Sequence, residues 1–275
     1  MTDTLNTVRS AHPVSDEMRA TVLDTLARIE REHDVRVLFA CESGSRGWGF
    51  ASPDSDYDVR FLYVNRLSWH LTVEPGRDVI EQPISGELDV NGWCLRKALQ
   101  LLRDSNPTLL EWLRSPIVYR QEDAWMARFR RLAEEGFSQM RGYHHYVSMA
   151  RKNLREHLYA DVVRYKKYLY VLRPLLAARW IREGRGVPPM PFAQLVAATS
   201  LEPSLVAEID ALLEVKMRAG ESTTSPRWPG IHEFIERELA VAEAVQFPRQ
   251  DKPSTKPLDD YLNDAVRHFD ARAAT

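Results

Sequence analysis

Gly44-Ser45-Arg46-Gly47-Trp48-Gly49-Phe50-Ala51-Ser52-Pro53-Asp54-Ser55-Asp56-Tyr57-Asp58-Val59-Arg60-Phe61 is the stretch on which the reading of this sequence turns. Just upstream, Val35, Val37, Phe39 and Cys41 form a short, mostly apolar run whose β-branched members favour a buried strand, predicted to end at Gly44. After a loop holding Gly49, Ser52, Pro53 and Asp54, alternation resumes in Tyr57, Val59, Phe61 and Tyr63 against Asp56, Asp58, Arg60 and Leu62, which predicts a second strand. Residues two apart on a strand leave the same face, so Asp56 and Asp58 can share one or two hard divalent cations. Mg²⁺ commonly binds one or two carboxylates and takes its remaining ligands from water and substrate phosphates. Gly44 stands between a strand and a helical turn whose free N–H groups suit a triphosphate, and a side chain there would obstruct close approach of the backbone. Ser45 adds a hydroxyl donor, and Arg46 and Ser52 are secondary candidates for phosphate contact.

Outward from this stretch, Met18, Val22, Leu23, Leu26 and Ile29 mark an amphipathic helix over Asp16 to Glu32, with Ser15 placed to cap it. Val79 to Gln82 reads as a minor strand and Glu87 to Trp93 as a further one, followed by a helix from Leu95 to Arg103 and a helical turn after Pro107. Asp89 is an isolated charge between Leu88 and Val90, and an unpaired buried carboxylate is costly unless a metal offsets it. It is the candidate third carboxylate, as metal ligand or as general base toward an acceptor hydroxyl, with Glu87 as the fallback if the register differs.

Beyond about Arg120 the strand signals disappear, and helical patterns follow at Glu122–Phe137, Tyr143–Tyr159, Val162–Glu183, Phe192–Thr199, Pro203–Ala219 and Ile231–Val245. Thr223 to Gly230 and Phe247 to Pro257 read as loops. The expected fold is therefore α+β, a catalytic domain over residues 1–130 followed by an all-helical domain over 131–275. From Arg141 to Arg185 lysines and arginines exceed acidic residues by eight, although the formal net charge of the chain is only -2. Such a region can hold a triphosphate or a nucleic-acid backbone, with tyrosines 143, 146, 159, 165, 168 and 170 as base-stacking candidates or as ordinary half-buried packing residues. The adjacent His144 and His145 diverge by about 100 degrees on a helix and are read as structural or solvent-facing.

At 275 residues, 44% apolar and 28% charged, the chain is expected to be globular. Its two cysteines, Cys41 and Cys94, fall in predicted strands and read as buried thiols. A polar N-terminus and the lack of a long apolar run predict a cytoplasmic, reduced setting and no membrane partner.

Gly44-Ser45, Asp56-x-Asp58 and Asp89 resemble the motif of the DNA polymerase beta-type nucleotidyltransferase superfamily: Gly-Ser at the end of one strand, Asp-x-Asp about a dozen residues on, and a later third Asp. The longer match through Glu42 to Phe50 and Ser52 to Arg60 is similar to a narrower group of nucleotidyltransferases associated with RNA-repair ligases, and continues weakly through Asn106-Pro107, Leu110-Glu111-Trp112, Lys166-Lys167-Tyr168 and Arg173-Pro174. The resemblance implies a small mixed sheet flanked by helices, a helical C-terminal domain, Mg²⁺ dependence with two ions (Mn²⁺ as a substitute), and a nucleoside triphosphate such as ATP as donor. It also implies an RNA acceptor and an RNA ligase as partner. Resemblance and local charge together single out Lys166, Lys167 and Arg173 as nucleotide-phosphate ligands. The expected reaction moves a nucleoside monophosphate to an acceptor hydroxyl with loss of pyrophosphate. Protein side chains and small molecules are alternative acceptors, and a catalytically silent nucleotide or RNA sensor is the reading of a different class. The bland reading takes Asp54, Asp56 and Asp58 as a solvated acidic turn with Gly44 and Gly49 as punctuation, and it is outweighed by Gly44-Ser45 at the motif distance together with the later isolated Asp89.

Overall fold

The computed structural model describes residues 12–159, 162–218, 224–248 and 254–273. These form two compact units. A sheet unit takes 14–44, 56–137 and 254–273, and a helical unit takes 12–13, 45–55, 138–159, 162–218 and 224–248. Sequence alone suggested one division near residue 130. The chain instead crosses between units at 13/14, 44/45, 55/56 and 137/138 and returns to the sheet unit for its last helix.

In the sheet unit, helix α1 (Asp16–His33) starts on Ser15, whose hydroxyl accepts the Met18 N–H at 3.1 Å. It ends on Asp34 in the left-handed conformation, φ 48°. The strands are β1 (Val35–Glu42), β2 (Tyr57–Asn65), β3 (Val79–Glu81), β4 (Leu88–Cys94) and β5 (Val118–Gln121), ordered β3-β4-β2-β1-β5. The β2/β4 pair is parallel and the other pairs are antiparallel, the mixed sheet that was expected. Being central, β1 and β2 are built from nearly continuous apolar runs. One face packs Val37, Ala40, Val59, Phe61 and Val90 against Val22, Leu26 and Ile29 of α1. A register shift between Val37 and Phe39 changes the alternation along β1 and carries Ala40 onto that face.

β5 lies where strand signals were expected to fade. Four residues, Val-Tyr-Arg-Gln, are too few to establish a period, and pairing with β1 supplies what local pattern does not. The last helix was also not anticipated. Its buried residues, Tyr261, Ala265, Val266 and Phe269, are spread through a polar segment.

Helix α2 (Gly44–Trp48) straddles the 44/45 crossing, and α3 (Leu67–His70), α4 (Leu95–Arg103), α5 (Pro107–Leu113) and α6 (Asp123–Glu135) belong to the sheet unit. In the helical unit, α7 (Gln139–His157) and α8 (Tyr165–Arg182) pack along each other, with α9 (Phe192–Ala198), α10 (Pro203–Arg218) and α11 (Pro229–Ala244) around α8. The nearly continuous burial of α8 from Tyr168 to Ala178 makes it the centre of this unit. The region is not wholly helical: β6 (Val162–Arg164) pairs antiparallel with β7 (Thr224–Pro226), and takes the first residues of a helix predicted to begin at Val162. α12 (Lys256–Ala273) completes the sheet unit against β2, α3, α4 and α6. Ala219 and residues 249–253, included in a predicted helix and a predicted loop, lie outside the described residues. No described helix is long and apolar enough to cross a membrane.

Candidate active site

Parallel pairing of β2 with β4 sets Asp58 opposite Asp89 and Arg60 opposite Asn91. Residues in register on neighbouring strands face the same side, so the two carboxylates stand side by side. Asp89 therefore faces Asp58, whereas the fallback Glu87 is exposed just before β4, with its carbonyl accepting the Tyr57 N–H at 2.7 Å. Asp56 is exposed and immediately precedes β2 instead of lying on it.

Arg60 joins the pair. Its Nη2 donates to Asp58 Oδ1 at 2.9 Å and to Asp89 Oδ2 at 2.7 Å, and its Nη1 donates to the carbonyls of Val59 (3.0 Å) and Asp89 (3.1 Å). Burial pushes the Asp58 carboxyl above its ordinary range; the charge of Arg60 opposes the shift, and Asp89 and Asp56 add to it. Asp58 is also held through its backbone. Its carbonyl accepts the Ser43 N–H at 2.8 Å, and its N–H donates to Glu42 Oε1 at 2.8 Å.

Glu42, at the end of β1, is fully buried. Its second carboxylate oxygen accepts the Tyr119 hydroxyl, and its carbonyl accepts the Ser115 hydroxyl at 2.5 Å. Burial, then the charge of Glu42, drives the Tyr119 hydroxyl far above the usual tyrosine range, so it remains a donor. Glu42 opens the motif stretch Glu42–Phe50 and has no role assigned from sequence. The available signal was a carboxylate at the end of an apolar strand, the argument already applied to Asp89.

Gly44 has φ 58°, and a Cβ built on it would overlap Asp58 Oδ2 and lie 2.8 Å from Asp58 Cγ. Glycine is thus needed both for the turn and for room beside the carboxylate. The chemistry of the donor set suits a hard cation: Asp58 and Asp89 offer oxygen ligands on one face, with Asp56 close enough to act electrostatically on Asp58. Among the described residues no three His, Cys, Asp or Glu side chains already stand as a metal site, and Arg60 bridges the two carboxylates where a cation is expected.

In the helical unit, the segment from Ser45 to Ser55 is held by its own buried residues. Phe50 packs edge-on against Phe192, and Trp48 against Tyr170. Arg46, expected near phosphate, is buried and donates to the carbonyls of Ser55 (2.7 Å) and His12 (3.1 Å). Ser52 is fully buried, its hydroxyl 3.0 Å from that of Ser55 and accepting from Lys216 Nζ at 2.7 Å. Arg173 is buried over the Trp48 ring at 4.8 Å and donates to the Met190 carbonyl. Arg46, Ser52 and Arg173 thus build the scaffold of this unit. Lys167 Nζ lies 3.1 Å from His157 Nε2 and 5.1 Å from the Tyr170 ring centre. Ser45 and Lys166 are half-buried. Lys216, a buried lysine that sequence reading passed over, carries no motif and follows the helical pattern of α10.

Cys41 and Cys94 are free and buried, and burial pushes both thiols up, the inert state read from sequence. Asn106-Pro107 proves to be a helix start: the Asn106 side chain accepts the Leu109 N–H at 3.1 Å, with proline in the first turn.

A glycine turn at the end of β1, Asp56 and Asp58 at the head of its antiparallel neighbour β2, and Asp89 in register on β4 stand together in the sheet unit. The family model RlaP, described as the RNA repair pathway DNA polymerase beta family, matches residues 18–264, and the chain belongs to that family. It is 44% identical over 251 residues to "Uncharacterized protein YcgL" of Bacillus subtilis (strain 168), covering 90% of this chain and 96% of that one. Among solved structures it is similar, at 12% identity and a TM-score of 0.31, to a nucleotidyltransferase-like protein from Exiguobacterium sibiricum 255-15, over 91% of this chain and 80% of that one.

Proposed function

We propose that the chain is a divalent-metal-dependent nucleotidyltransferase that moves a nucleoside monophosphate from a nucleoside triphosphate to an acceptor hydroxyl at an RNA end. The observation that carries this reading is the register setting Asp58 against Asp89 beside the Gly44 turn. In this proposal Asp56 and Asp58 hold Mg²⁺ or Mn²⁺, which when bound neutralises the phosphate charge that builds up during transfer. Asp89 orients the acceptor hydroxyl and takes its proton as the oxygen attacks the α-phosphorus and pyrophosphate leaves. Gly44 and Ser45 bind phosphate through the N–H groups of the turn, and Ser45 also through its hydroxyl. Lys166 and Lys167 are the candidate phosphate contacts of the helical unit. Arg60 keeps Asp58 and Asp89 aligned, so that ligands brought together by folding need not be gathered by the cation. The acceptor class follows the family's description as an RNA repair pathway group.

The test incubates the purified protein with Mg²⁺ and each labelled nucleoside triphosphate in the presence of RNA oligonucleotides with defined ends, alongside an Asp56→Ala/Asp58→Ala variant. Label on RNA with the wild type alone is the expected result. Triphosphate binding without RNA labelling redirects the acceptor to protein or small molecules, and no triphosphate binding by the folded wild type refutes the reading.

A further inference from the structure

The excess of positive charge between Arg141 and Arg185 divides into two groups once the helical unit is folded. Arg173 is buried. Arg179 and Arg182 donate to Glu238 at 3.3 and 2.9 Å, and Arg185 pairs with Glu183 at 3.0 Å. Arg151, Lys152, Arg155 and Arg164 are exposed. The first three share one side of α7, where positions 144, 145, 148, 151, 152, 155 and 156 face solvent while Tyr143, Tyr146, Val147 and Ala150 are buried.

Acidic side chains do little to quench this stripe. Glu243 lies 3.6 Å from Arg151 and Glu156 lies 3.9 Å from Lys152, both in exposed pairs that water screens. Just beyond the helix, Tyr159 is 65% exposed, the most open of the tyrosines considered for stacking. Its carbonyl accepts Arg227 Nη2 at 2.6 Å, which brings a further exposed arginine to the same end. Tyr143, Tyr146 and Tyr168 are buried and cannot stack on a ligand.

We propose that this stripe binds single-stranded nucleic acid, with phosphates along Arg151, Lys152 and Arg155 and a base stacked on Tyr159. The cations complement a polyanion, and the open ring offers the flat apolar surface that an unpaired base requires. An anionic membrane is a poorer fit, because the outward positions upstream are His144, His145 and Ser148 and supply nothing to insert among acyl chains. The inference deepens the transferase reading, on which it rests for the identity of the strand as acceptor. From Arg151 to Arg155 the stripe runs about 6 Å along the helix axis.

The test is fluorescence anisotropy of a 5′-fluorescein single-stranded RNA oligonucleotide over a range of salt, with ATP binding measured on the same proteins. Arg151→Ala/Lys152→Ala/Arg155→Ala is expected to weaken RNA binding and to flatten the log–log salt slope by about 2, at ~0.7 per lost phosphate contact on a single strand. Tyr159→Ala is expected to weaken binding about tenfold with the slope unchanged. All substituted positions are exposed, so both variants keep the wild-type melting temperature and ATP affinity. RNA affinity and slope unchanged in the triple variant overturn the proposal, and a silent Tyr159→Ala overturns its stacking half. Wild type that binds ATP but not RNA, whether or not it binds vesicles of anionic phospholipid, overturns the stripe and leaves the aspartate site standing; failure to bind either ATP or RNA sinks both.

Discussion

Removing the Glu42 side chain tests how the aspartate face is held. In Glu42→Ala the Asp58 N–H and the Tyr119 hydroxyl both lose their acceptor in a site closed to water. Hydrogen bonds to a charged group contribute about 1.5–3 kcal/mol each, so the substitution costs about 3–6 kcal/mol. Tyr119→Phe removes one of these bonds and costs about 1.5–3 kcal/mol in the wild type. In the Glu42→Ala background the same change removes a hydroxyl that has already lost its partner, and costs little or nothing. The cycle is measured by urea unfolding followed by circular dichroism at neutral pH, with Glu42→Gln as a third background that retains the acceptor for Asp58 should Glu42→Ala fail to fold. A coupling of about 2 kcal/mol is expected between positions 42 and 119. Equal costs for Tyr119→Phe in both backgrounds, within the ~0.5 kcal/mol scatter of independent sites, refute the reasoning.

Gly44→Ala forces a left-handed φ of 58° on a residue with a Cβ and pushes that atom into Asp58. It should destabilise the protein by at least about 1–2 kcal/mol in urea unfolding and weaken Mn²⁺ binding followed by electron paramagnetic resonance. Arg60→Lys keeps the charge but loses the planar fork that reaches two carbonyls and two carboxylates; a loss of about 1–3 kcal/mol is expected in the same assay, and a change within error removes Arg60 as an organiser. In metal-free buffer the raised Asp58 value has a definite sign: the folded state holds that proton more tightly than the unfolded state. Stability from this group is complete below its ordinary value of 3.8 and is lost as pH rises through the raised value. Asp58→Asn should therefore gain on the wild type as unfolding is repeated from pH 4 upward in EDTA, and a constant difference contradicts the shift.

Much of the sheet was legible because its residues speak locally. The alternation in Tyr57–Tyr63, the capping serine at 15 and the isolated Asp89 each announce their element without help from distant chain. β5 and α12 did not, because one is too short for a period and the other owes its place to packing on β2, α4 and α6 far away in sequence. The site divided along the same line. Spacing placed Asp58 with Asp56, and Asp89 stood out as a lone charge in an apolar strand, but the register that sets Asp58 against Asp89 came only with the fold, as did the burial of Arg46, Ser52 and Arg173 against Trp48, Lys216 and Met190, partners that spacing does not reveal. The basic segment shows the limit most clearly: composition gave its charge, and only the folded unit separated Arg173, Arg179 and Arg182 from Arg151, Lys152 and Arg155.

The return of α12 to the sheet unit has a consequence for synthesis. Arg66, just after β2, donates to the carbonyl of Phe269, and the Leu67 N–H donates to Asp270, each across 203 residues of sequence. A nascent chain that has already exposed β2 to solvent must wait for the whole helical unit to be made before the apolar side of Tyr261, Ala265, Val266 and Phe269 arrives to cover its part of the sheet unit. Long-separation contacts of this kind slow folding and prolong the exposure of apolar surface on the unfinished unit. The sheet unit that bears the aspartates is therefore assembled late, after the polypeptide has emerged almost to residue 273, and an arrested translation product ending before Lys256 would leave the ribosome with its aspartates present and the packing of their sheet incomplete.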